Sequence, residues 1–99
     1  MADPIQAIEE ATRRRAAQQA LMEAYADVFG SEPGRQVLED IKASGCYYRT
    51  TVMAVPGGVD SAGTLVNEGA RQLVLGILKN IERGRRAPVE RQTEALREA

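Results

Sequence analysis

The side chains that could do chemistry in this chain are a few carboxylates and two groups of arginines, because the sequence has no histidine and only one cysteine. Acid–base catalysis needs two titratable groups that face each other in a cleft. Glu39 and Asp40 are adjacent on a predicted helix, so their carboxylates diverge. Cys46 alone excludes an intrachain disulfide and a cysteine-based metal cluster. The sequence therefore predicts a protein that is not an enzyme and that has no cofactor or metal site.

Two basic clusters could contact phosphate or an acidic protein surface. They are Arg13, Arg14 and Arg15 in the first, and Arg83, Arg85 and Arg86 in the second. Arginines supply many of the phosphate contacts in DNA-binding proteins. Both clusters have acidic neighbours, however, and the 13 basic and 14 acidic residues leave a net charge of −1. We interpret the clusters first as solvated helix faces, and contact with DNA or an acidic protein as the alternative.

A glycine-containing turn, Pro56-Gly57-Gly58, precedes a predicted helix and so has the order of a phosphate-binding loop. Asp60 lies at the start of that helix and would repel an anion there. We interpret these residues as a turn.

The helix that organises the chain is predicted from the apolar pattern of residues 65–81. Asp60 or Ser61 is expected to cap its start, and Gly84 is expected to end it. Its inward face is predicted to consist of Val66, Ala70, Leu73, Val74, Ile77 and Ile81. Leu75 and Leu78 lie outside that face, which is typical of a helix that is central or shared with a partner.

Gly69 and Gly76 lie seven residues apart and therefore on nearly the same side of this helix. Each glycine costs about 1 kcal/mol relative to alanine in a helix interior. Close approach of another backbone would explain that cost. The sequence leaves open whether that backbone belongs to the same domain or to a second chain.

The first helix is predicted to run from residue 4 to residue 29, after an Asp3-Pro4 start signal. Its inward stripe is expected to be Ala17, Ala20, Leu21, Ala24 and Val28, widened by Met22, Tyr25 and Phe29. Ile5 and Ile8 point to a different side. The helix would be about 39 Å long, whereas a compact domain of this size is about 34 Å across. Residues 1–16 are therefore predicted to form a projecting arm, unless the helix breaks near the arginines. The isoleucines of this arm would need a partner chain, or the arm would fray.

The remaining segments complete an all-α prediction. A short helix is expected over residues 32–44, between Ser31 as its cap and Gly45 as its end. Residues 46–55 are rich in β-branched and aromatic side chains, and they are predicted to form an ordered extended loop, with strand addition between subunits as the minor alternative. Residues 1–84 are interpreted as one small helical domain, and residues 85–99 as a charged tail.

Short motifs in the middle of the chain resemble a known family. They are Tyr25-x-x-Val28-Phe29, Gly34-Arg35-Gln36-Val37-Leu38-x-Asp40-Ile41, Tyr48-Arg49-Thr50 and Asn67-Glu68-Gly69-Ala70-Arg71. Together they resemble small proteins encoded in the virion-structural gene clusters of tailed, often short-tailed, bacteriophages. The resemblance covers residues 25–81 and implies a role in the virion or its assembly. The resemblance does not assign a catalytic role to any residue of this sequence.

These observations lead to one expected function and one alternative. We expect a structural or assembly protein of a tailed phage particle that associates with itself and with head, portal or tail proteins, or is packaged for ejection. The residues expected to self-associate are Ile5, Ile8, Gly69, Gly76, Leu75 and Leu78. The alternative is an accessory factor that contacts DNA through the arginine clusters. The expected location is the virion, with the host cytoplasm during assembly, and no membrane-spanning segment is expected.

Overall fold

The computed structural model describes residues 3–98, and this range contains three α-helices and one small β-hairpin. The elements are α1 (Pro4–Gly30), α2 (Glu32–Ser44), β1 (Ala54–Val55), β2 (Gly58–Val59) and α3 (Ser61–Glu98). The all-α prediction is therefore confirmed. By their contacts the described residues form two compact units. We call residues 28–79 the central unit, and residues 3–27 with 80–98 the terminal unit.

The helices begin where short polar side chains can accept hydrogen bonds from free backbone amides. The amide of Ile5 donates to Asp3 Oδ1 at 3.0 Å, and the amide of Gly34 donates to Ser31 Oγ at 3.1 Å. Ser31 Oγ also donates to the carbonyl of Val28 at 2.7 Å. A Cβ at Gly34 would overlap that same carbonyl oxygen. Gly34 of the family motif is therefore needed for the tight corner between α1 and α2.

The loop before α3 is held in place by polar side chains of the first turns of that helix. The carbonyl of Thr51 accepts from Asn67 Nδ2 at 3.1 Å, and the Thr51 hydroxyl donates to Glu68 Oε1. The amide of Met53 donates to Thr64 Oγ1 at 3.0 Å. These bonds satisfy loop groups that would otherwise have to bind water. They assign a structural role to Asn67 and Glu68, two residues of the family motif.

Residues 46–55 are mostly loop, as predicted, but their last two residues form a strand that pairs within the same chain. Ala54 pairs with Val59 and Val55 with Gly58 in antiparallel register. Pro56 and Gly57 form the two-residue turn, and Gly57 has a φ of +87°, which glycine adopts without steric cost.

The core of the central unit lies where α3 crosses the end of α2. Val74 is 2 % exposed and Cys46 is also fully buried. A Cβ at Gly45 would overlap Val74 Cγ2 and would lie 3.0 Å from the carbonyl oxygen of Ile41. Gly45 therefore allows α3 to pack closely, and it ends α2 as predicted. The chain then reverses at Cys46, which has a φ of +59°.

The terminal unit pairs α1 with the second half of α3. The prediction that Gly84 ends the central helix is wrong, because α3 continues to Glu98 and includes Pro88. A Cβ at Gly84 would overlap the carbonyl oxygen of Met22 and would lie 2.9 Å from Ala26 Cβ. Gly84 is therefore a packing glycine, not a cap. Gln19 and Met22 of α1 line one cavity together with residues 83–94 of α3, so these two segments lie side by side.

The predicted inward stripe of α1 is only partly correct. Met22 is buried, and Tyr25 and Phe29 are half-buried, but the other members are exposed: Ala17, Ala20, Leu21, Ala24 and Val28. Met22 and Ala26 lie on the side of α1 that packs against Gly84. Residues 3–18 are exposed without exception. The projecting arm stays a prediction that this exposure supports.

Candidate interaction surface

An uncharged, mostly apolar strip follows the outward side of α3. We call it the outer face of α3, and its members are Ala62, Leu65, Val66, Gly69, Gln72, Leu73 and Gly76. At 100° per residue these positions fall within an arc of about 120°. Leu65 and Val66 are each 72 % exposed, and Leu73 is 68 % exposed. Apart from the neighbouring backbone of α3 itself, no described atom lies within 4 Å of a Cβ built at Gly69 or Gly76.

The prediction that Val66 and Leu73 belong to the inward face of the helix is therefore wrong. The inward side contains Val74 and, next to it, Asn67, which binds the loop. Polar residues face inward here because the backbone of the loop needs partners. α3 is therefore rotated about its axis so that Asn67 faces the loop, and Leu65, Val66 and Leu73 are exposed to solvent.

The residues predicted to self-associate differ in where they lie. Gly69 and Gly76 are on the outer face of α3, while Leu75 is partly exposed and Leu78 is half-buried. Neither Gly69 nor Gly76 is packed against another described element of the chain. Ile5 and Ile8 are exposed on the N-terminal half of α1. Sequence reasoning missed Leu65, Val66 and Leu73 as surface residues, although their spacing around Gly69 was visible.

All six arginines of the two clusters are exposed and belong to the terminal unit. Arg14 pairs with Glu10 at 3.5 Å, and Arg86 pairs with Glu82 at 3.0 Å. The other four make no ion pair with a described residue: Arg13, Arg15, Arg83 and Arg85. Exposed ion pairs such as Arg14–Glu10 and Arg86–Glu82 contribute about 0–1 kcal/mol to stability. Losing these pairs in order to bind an anion would therefore destabilise the fold very little.

An open cavity of about 550 Å³ lies beside the second cluster, within the terminal unit. Its lining consists of Gln19 and Met22 of α1, with Arg83, Arg86, Ala87, Glu90, Arg91 and Glu94 of α3. Arg91 also forms an ion pair with Glu23. Acidic and basic groups nearly balance around this cavity, so its charge does not select strongly for an anionic ligand.

A polar cluster links the end of α2 to the loop. The Tyr48 hydroxyl donates to Glu39 Oε2 at 2.7 Å, and Lys42 Nζ donates to Glu39 Oε1 at 3.2 Å. These two bonds lower the pKa of Glu39, with the tyrosine bond as the larger cause, and the bonds to Glu39 raise the pKa of Tyr48 and of Lys42. Lys42 also lies 5.3 Å from the centre of the Tyr47 ring. The cluster orients the start of the loop.

Two kinds of site are not found in the part of the chain that the structure describes. No group of three or more acidic, cysteine or histidine side chains there is arranged to hold a metal ion. No described helix is long and apolar enough to cross a membrane.

Comparison with known proteins identifies a family. No curated protein and no solved structure matches the chain. A family model described as Bbp19-like phage protein matches residues 25–97, or about three quarters of the sequence. This confirms the predicted resemblance to a phage protein family and extends it beyond residue 81 into the second half of α3. The chain therefore belongs to the family of Bbp19-like phage proteins.

Proposed function

We propose that this protein is a non-enzymatic structural or assembly component of a tailed phage particle. It binds through apolar helix faces that the isolated chain leaves open. Its partners are further copies of itself and a head, portal or tail protein, unless it is packaged internally for ejection. It is made in the host cytoplasm and ends up in the virion.

The outer face of α3 is the observation that carries this proposal. Isolated apolar side chains are normal on a protein surface, but a contiguous patch without charge is typical of an interaction site. Removing such a patch from water is favourable by about 25 cal/mol per Å². The family match supports a phage setting, in which many small proteins act as parts of a larger assembly.

A DNA-contacting accessory function is the second candidate, and the unpaired arginines of the terminal unit favour it. Arg13, Arg15, Arg83 and Arg85 present exposed guanidinium groups that no described acidic side chain neutralises. Binding through such groups would weaken steeply with salt, because it depends on the release of counterions from DNA.

Fractionation of purified particles tests both candidates. Particles of the encoding phage are purified on a density gradient, and the protein is quantified before and after opening of the head, nuclease digestion and a high-salt wash. Retention on DNA-free shells or tails after the wash supports the structural role. Loss with the DNA, in proportion to salt, supports the accessory role. Absence from the intact particle contradicts both.

A further inference from the structure

On the outer face of α3, small and large residues have the same spacing in both directions from Gly69, with polar Gln72 at the position that corresponds to Val66. Three residues away on either side are Val66 and Gln72, and four residues away are Leu65 and Leu73. Seven residues away are the small residues Ala62 and Gly76. Small residues therefore alternate with large ones symmetrically over about 21 Å of helix.

We propose that α3 pairs with α3 of a second copy in antiparallel orientation, about a two-fold axis that passes next to Gly69. In this arrangement Leu65 faces Leu73 of the second copy, and Ala62 faces its Gly76. The two glycines at position 69 face each other. A two-fold interface requires the same surface on both chains to be complementary to itself, and the symmetric pattern meets this requirement.

The glycines explain how close the two helices come. A Cβ at either Gly69 or Gly76 would meet no described atom outside the neighbouring backbone of α3, so the described fold does not require glycine there. Small residues at a helix contact let the two backbones approach, and the leucines and Val66 then fill the space beside them. The antiparallel orientation also places opposite ends of the two helix dipoles together.

Symmetric spacing is required for a two-fold contact between copies but not for binding an unrelated protein. The spacing on this face therefore favours a second copy as the partner. No charge lies within the face, so pairing buries no unpaired ionic group. Gln72 lies at the margin and can keep its amide in water. This inference rests on the proposed function and names one of its partners.

Disulfide trapping in the full-length protein tests the geometry. Leu65→Cys and Leu73→Cys chains are prepared separately and oxidised alone or as a mixture. Both positions are exposed, and circular dichroism checks that the helices persist. The native Cys46 is fully buried, so it does not compete. A matched control is Leu96→Cys, which is 75 % exposed on the same helix but lies outside the outer face of α3.

Antiparallel pairing predicts that the mixture forms a disulfide between the two different chains severalfold faster than either chain forms one alone. Efficient disulfides within the Leu65→Cys sample and within the Leu73→Cys sample would indicate parallel pairing and overturn the proposal. The proposal would also be overturned if the mixture formed disulfides no faster than the Leu96→Cys control does. The proposed function is judged separately, by the presence of the protein in particles, so the two can fail independently.

Discussion

Replacing Gly69 by alanine should stabilise the isolated chain. Its Cβ would meet no described atom within 4 Å outside the neighbouring backbone of α3, so the substitution gains helix propensity without a steric cost. The gain expected in a helix interior is about 1 kcal/mol. For a domain of this size such a gain raises the melting temperature by about 4–8 °C.

Gly84→Ala is the matched control, because it makes the same change in the same helix. Its Cβ would overlap the carbonyl oxygen of Met22 and crowd Ala26. Overpacking of this kind costs about 1–3 kcal/mol, which exceeds the gain in propensity. The two substitutions should therefore change stability in opposite directions.

Urea denaturation at low protein concentration measures both effects, because dilution separates chain stability from self-association. The midpoint should rise for Gly69→Ala and fall for Gly84→Ala, with little change in the slope. A loss of stability in dilute Gly69→Ala would show that this glycine is already packed in the single chain. A gain for Gly84→Ala would show that α1 does not lie against it.

Three further predictions address the loop, the polar cluster and the arm. Thr51→Val should destabilise the fold by about 1.5–3 kcal/mol, because it removes a buried hydroxyl bond to the carboxylate of Glu68. Thr93→Val, at an exposed helix position, should have little effect on the same denaturation midpoint. Tyr48→Phe should raise the pKa of Glu39 toward its ordinary value in an NMR titration, since it removes the main cause of the lowered pKa. The stabilisation from Glu39 is present above its unfolded pKa and is lost as the pH falls through the folded pKa, so the variant should lose less stability on acidification. An unchanged Glu39 titration would show that the bond does not form in solution. Deletion of residues 1–15 should leave the urea slope nearly unchanged, because residues 3–18 are exposed. A truncated chain that fails to fold would show that the arm packs on the core.

The helix boundaries could be predicted because they depend on local chemistry. Asp3 and Ser31 accept hydrogen bonds from the first free amides of their helices, and Gly45 ends α2. Such signals need no knowledge of the tertiary structure. The same reasoning failed at Gly84, because glycine after an apolar run is typical of a helix end but is also what a close helix contact requires.

The direction in which each helix faces could not be predicted from apolar periodicity. That approach assumes that polar residues face water. In α3 this assumption fails, because Asn67 and Glu68 turn toward the loop to bind Thr51. In α1 the packed residue Met22, which lies against Gly84, belongs to the margin of the predicted stripe rather than to its centre. The outer face of α3 follows from these contacts, which only the fold reveals.

The copy number of the protein in purified particles, compared between two single substitutions, tests whether the outer face of α3 is needed for incorporation. Leu73→Asp places a charge in the outer face of α3, whereas Leu96→Asp places one at an equally exposed leucine outside it. Each variant is supplied to a phage that lacks the wild-type gene, and copies per particle are counted by quantitative mass spectrometry. We expect both variants to fold, Leu96→Asp to be present in particles at the wild-type level, and Leu73→Asp to be largely absent from them. Equal incorporation of the two variants would contradict a role of the outer face of α3 in assembly.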